Sequence, residues 1–111
     1  MNALKTKDEV DPSRFTGKNF TRRKAFPNSH DDYSILIDGL KAGRIMKMIR
    51  AGQREVWFWT LTAPYYPQGT QHSGEEYTYE AARDAFKKLF WEWHAWALKQ
   101  PGKVTWYGAK E

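Results

Sequence analysis

One long amphipathic stretch constrains this chain more than anything else in it. In "TYEAARDAFKKLFWEWHAWALK" (residues 78–99), Ala82, Ala85, Phe86, Leu89, Phe90, Trp93, Trp96 and Ala97 recur at intervals of three and four. That spacing puts them on one side of an α-helix. Arg83, Asp84, Lys87, Lys88 and Glu92 fall on the other side. Thr78 is a good N-cap, Glu80 suits the positive end of the helix dipole, and Pro101-Gly102 stops the helix. A helix with one apolar stripe needs one apolar surface to cover.

That surface is supplied by "EVWFWTLTA" (residues 55–63), a strand ended by Pro64, which cannot continue a ladder. Alternation sends Trp57, Trp59 and Leu61 to one face and Val56, Phe58, Thr60 and Thr62 to the other. "YSILIDGL" (33–40) and "GRIMKMIR" (43–50) read as two further strands, with "LKAG" as the turn between them and "AGQRE" as the next hairpin loop. The predicted fold class is α+β, a three-stranded antiparallel β-meander packed on one long C-terminal helix (β-β-β-α). Tyr33, Ile35 and Ile37 join the Trp57 face beneath the helix. A buried, unpaired Lys47 would be costly, so Met46 and Met48 are expected inward. The second face then shows Leu36, Ile45, Lys47, Ile49, Val56 and Phe58.

Residues 64–76 read as a long loop. Residues 1–32 are polar and aperiodic, broken by "DPS" and "FPN", and read as a disordered, flexible arm. The domain organisation is thus an arm over 1–32 and a single domain over 33–111. The helix would run about 33 Å, against about 27 Å for an eight-residue strand, so "WEWHAWALK" overhangs the sheet. Trp91 points off the main stripe. "VTWY" (104–107) is expected to fold back over Trp93 and Trp96.

The chain has 18 Lys+Arg against 13 Asp+Glu, a net charge of +5, and no cysteine. Seven basic and five acidic residues lie in 1–32, five and two in 33–74, six and six in 75–111. Such a bias favours an acidic partner such as nucleic acid. Missing cysteine fits a reducing cytoplasm, and no apolar run reaches the roughly 18 residues of a membrane span. A soluble, cytoplasmic protein with no membrane partner is expected.

Catalytic signatures are lacking. His30, His72 and His94 have no metal-ligand spacing, and "SHDD" (29–32) reads as a turn. "GEE" (74–76) is ordinary acidic residue placement before a helix. There is no phosphate-cradling glycine loop and no Ser or Cys nucleophile arrangement. The expectation is a non-enzyme with no cofactor, no metal and no small-molecule substrate.

"YTYEAARDAF" (77–86), behind a meander with Trp on its last strand, resembles the Apetala-type plant DNA-binding domain and the arm-site-binding domain of phage integrases. Those domains carry three antiparallel strands and a helix opening with Thr/Ser-x-Glu-x-Ala-Ala. The resemblance covers about residues 33–98. It implies DNA binding through the exposed sheet face by arginine and aromatic residues. The first strand here, "YSILIDGL", lacks the arginines of those families. The chain is also similar to small bacterial proteins of no known activity in which a Gly-Arg-Ile strand precedes Trp-Phe-Trp.

Two functions follow as expectations. One is a nucleic-acid-binding module using the open sheet face and basic hairpin, with contacts from Lys47, Arg50 and Arg54, joined by Arg22, Arg23 and Lys24 of the arm. The other is a protein-interaction or homo-oligomerisation domain using Phe58, Ile45, Trp91 and Trp96. The open face could equally be covered by the arm through Phe15, Phe20 or Phe26.

Overall fold

The computed structural model describes residues 7–17, 19–65 and 71–108. Five strands form one antiparallel sheet: β2 (Phe20–Lys24), β3 (Asp32–Ile37), β4 (Leu40–Arg50), β5 (Arg54–Leu61) and β6 (Ser73–Glu76). They are ordered as they occur in the chain, so the sheet is a meander. The helix α1 (Tyr79–Ala97) packs on one face. A separate two-stranded ribbon pairs β1 (Lys7–Val10) with β7 (Val104–Tyr107). No helix among the described residues is long and apolar enough to cross a membrane.

The α+β class, the helix and the central strands are as the sequence predicts, but three strands are too few. The two extra strands are the sheet's edges. Their sequences, FTRRK and SGEE, carry almost no apolar signal. Phe20 is the one apolar side chain of β2, and its ring meets Phe86 edge-on at 5.7 Å. Residues 7–17 and 20–24, expected in a disordered arm, are part of the fold: Phe15 is buried in the core and β2 pairs along its length with β3. Of that arm, residues 1–6 and 18 lie outside the described residues, as do 66–70 of the predicted loop.

The turn between β3 and β4 is Asp38-Gly39, not "LKAG". Both residues have positive φ, 48° and 86°, as a two-residue hairpin of the primed type requires. Leu40 to Ala42 therefore belong to β4, with a register shift opposite Ile35/Leu36.

The register fixes the faces. Ile45 lies opposite Trp59 and Tyr33, and Lys47 opposite Trp57. Ile45, not Met46, therefore shares the helix-covered face with Tyr33, Ile35, Ile37, Trp57, Trp59 and Leu61, and it is fully buried. Met46 and Met48 lie opposite Phe58 and Val56 on the other face. The argument from Lys47 fails because α1 begins at Tyr79 and leaves that corner of the sheet uncovered. Lys47 instead pairs with Asp31 and Glu55 at 3.1 and 3.8 Å.

Gly43 is where the helix seats. A Cβ there would stand 2.0 Å from the Thr60 backbone oxygen and 2.6 Å from the Phe86 ring. Gly43→Ala should cost about 3 kcal/mol, measured by urea unfolding, because the backbone atom cannot swing aside as a side chain would. At the helix start, the Thr78 hydroxyl accepts from the Ala81 N–H at 3.1 Å. Thr78→Ala should cost about 1 kcal/mol in the same assay.

The overhanging half of α1 is covered by the chain itself. Phe15 stacks on Trp106 at 5.0 Å and meets Phe90 edge-on at 5.5 Å. Trp93 meets Trp106 edge-on at 5.6 Å. The Trp93 indole N–H donates to the Tyr65 carbonyl at 3.0 Å and that of Trp106 to the Lys41 carbonyl at 3.1 Å. Buried indoles with satisfied N–H groups fasten ribbon, helix and sheet into one unit.

Candidate functional site

The basic run of residues 22–24 is a sheet edge. Along β2, Arg22 faces Ile35 and Lys24 faces Tyr33, while Arg23 lies opposite Ser34. Alternation puts Arg22 and Lys24 towards the helix side and Arg23 towards the other. All three are exposed, and no carboxylate pairs with them among the described residues. The ridge continues on the helix through Lys87, whose ammonium lies 4.8 Å from the Phe20 ring centre.

Beside this edge, at the N-terminal end of α1, a cleft of about 570 Å³ opens between helix and sheet. Its walls include Phe20, Tyr33, Trp57 and Tyr79, with Arg22 and Arg83 as its cations and Asp31 and Glu80 as its acids. The rings meet edge to face: Tyr33 and Tyr79 at 5.7 Å, Trp57 and Tyr79 at 5.4 Å. The Arg22 guanidinium carbon lies 4.2 Å from the Tyr33 ring centre and 4.4 Å from that of Tyr79. Such cation–π contacts hold the guanidinium in place without consuming it in an ion pair. Lys47 flanks the next ring, 5.8 Å from the centre of Trp57. Its hydrogen bond to Asp31, then the charges of Asp31 and Glu55, hold its ammonium above the ordinary lysine range.

The opposite face of the sheet has a different character. Arg44 forks onto Asp32, Nε to Oδ1 at 2.7 Å and Nη2 to Oδ2 at 2.5 Å, and this bond raises the arginine's pKa. Arg50 bonds Glu75 through Nε at 2.6 Å and through Nη2. Its Nη2 also lies 3.8 Å from the Met48 sulfur. Val56 is buried and Phe58 half-buried. The arginines cover apolar surface with their stems and spend their charge on carboxylates.

The residues expected to act are therefore scattered. Arg22, Arg23 and Lys24 lie together on β2. Lys47 is on the helix side in an ion-pair cluster, not on the open face. Arg50 is engaged by Glu75, and Arg54 is exposed in the hairpin. Ile45 is buried under α1 and is no contact for a partner. Phe58 does face away from the helix. Trp91 is 38% exposed, against Phe90 and His94. Trp96 packs partly buried on the core. The pattern alone did not single out Tyr33, Trp57, Tyr79 and Arg83 as a group. They come from three elements, β3, β5 and α1, and only the strand register together with the helix start brings them to one cleft.

Among the described residues, no group of three or more His, Cys, Asp or Glu is placed to hold a metal ion. The fold is thus an α+β meander with one helix and an aromatic cleft lined by charges of both signs. Comparison with protein-family models, curated proteins and solved structures finds no match.

Proposed function

We propose that this protein is a small non-enzymatic binding module for nucleic acid, taking the phosphate backbone along the β2 edge. The observation that carries this reading is the run Arg22-Arg23-Lys24: three consecutive exposed cations with no carboxylate partner among the described residues. Elsewhere on the sheet, Arg44, Lys47 and Arg50 are already neutralised by acids. Free cations release counterions from a polyanion, and affinity then depends steeply on salt. The resemblance to sheet-face DNA readers supports the ligand class. The pairing of Arg44 and Arg50 argues for the edge over the face.

The test is fluorescence anisotropy of a labelled 12-nucleotide strand titrated at several salt concentrations. Binding that weakens with a log–log slope of about −2 or steeper is expected for three phosphate contacts on a single strand. Absence of binding at low salt, or affinity indifferent to salt, would exclude the reading.

Self-association is the second reading. It is favoured by Met46, Phe58 and Met48 on one sheet face and by Trp91 and Leu98, 38% and 51% exposed, near the helix end. Sedimentation at several protein concentrations decides it: a strict monomer removes it.

A further inference from the structure

The geometry points to a nucleobase as the occupant of the cleft, and so to a single strand as the ligand that this module prefers over a duplex. This rests on the phosphate reading of β2 and adds the identity of the strand.

Three features of the cleft converge. Its walls offer Tyr33, Trp57 and Tyr79, each only half-buried. Because these rings meet edge to face, none of them is sealed by stacking flat on another. Its lining carries both signs of charge: Arg22 and Arg83, the exposed carboxylate of Glu80, and that of Asp31, which pairs with Lys47. Glu80, which no lysine or arginine pairs among the described residues, disfavours a phosphate beside the rings, whereas a carboxylate accepts hydrogen bonds from the amino groups on base edges. The arrangement therefore suits a base inside and its phosphate outside, on β2. Arg22 belongs to both parts. Its guanidinium carbon lies close to two tyrosine ring centres, and no carboxylate pairs with it among the described residues, so its N–H donors can serve a phosphate. A base entering the cleft stacks on the same rings and on that guanidinium.

A duplex cannot use this site, since its base faces are already stacked on each other. It can reach only the β2 cations. Base–aromatic stacking is sequence-tolerant and contributes about 5- to 150-fold in affinity per base.

The experiment compares a mixed-sequence 12-nucleotide strand with its own duplex, at one salt concentration, against the wild-type chain, Tyr79→Ala and Tyr79→Phe. The strand should bind at least about tenfold tighter than the duplex. Tyr79→Ala should abolish most of that difference, lowering strand affinity far more than duplex affinity, and Tyr79→Phe should preserve it. Equal wild-type affinity for strand and duplex overturns the base site and leaves the phosphate reading standing. Equal loss on both ligands in Tyr79→Ala, with circular dichroism unchanged, also overturns it. If neither nucleic acid binds, the phosphate reading itself fails and this one with it. Should Tyr79→Ala not fold, the wild-type comparison and Tyr79→Phe still decide.

Discussion

Trp106→Ala should lower folding stability by about 3–5 kcal/mol, the largest loss expected from any single change in the chain. Trp106 is fully buried, stacked on Phe15, set edge-on to Trp93, and bonded through its N–H to the Lys41 carbonyl. Truncation empties the centre of this cluster and leaves a β4 carbonyl without its donor. The surroundings cannot close the gap, because Phe15 and Trp93 are themselves held by Phe90. A domain of this size has about 5–15 kcal/mol in total, so the thermal midpoint should fall by more than about 10 °C. Trp91→Ala, at an exposed ring, should shift it far less. A comparable fall for both would mean that the ribbon is not the cover of the helix end.

The second large effect concerns binding. Replacing Arg22, Arg23 and Lys24 together by alanine should weaken single-strand binding about 100-fold at 0.1 M salt and flatten the salt slope by about two units. Stability should barely change, since these side chains are exposed and only Arg22 contributes ring contacts, worth about 0.5–1 kcal/mol each. Replacing Arg44 and Arg50 together should cost much less affinity, because both already serve Asp32 and Glu75. Anisotropy titrations on the two variants compare edge and face directly. A greater loss from Arg44 and Arg50 would return the site to the open sheet face.

The helix and the three inner strands are legible in the sequence because burial on defined faces writes a period into them. The edge strands are not. β2 and β6 each have a single neighbour, and their side chains meet water along most of their length, so no alternation survives in FTRRK or SGEE. Asp38-Gly39 is a strong hairpin signal, yet Gly43 offers a competing one three residues beyond the start of β4. Gly43 serves a different purpose, the close approach of Phe86. The inward face of β4 was misjudged through Lys47: the cost of burying a lysine applies only under the helix, and the helix stops short of it. The candidate site was half visible. Its cations stood out as a run, but its aromatic wall depends on Tyr33, Trp57 and Tyr79 meeting across strands and helix, which no local pattern reveals.

The central claim is spatial: nucleic acid meets the β2 edge and the adjoining cleft. Amide and side-chain NMR shifts followed through a titration with the unlabelled 12-nucleotide strand test it most directly. The account predicts that the largest changes fall on residues 20–24, on Tyr33 and Tyr79, and on Arg83. Largest changes at Met46, Met48 and Phe58, with β2 unmoved, would contradict it.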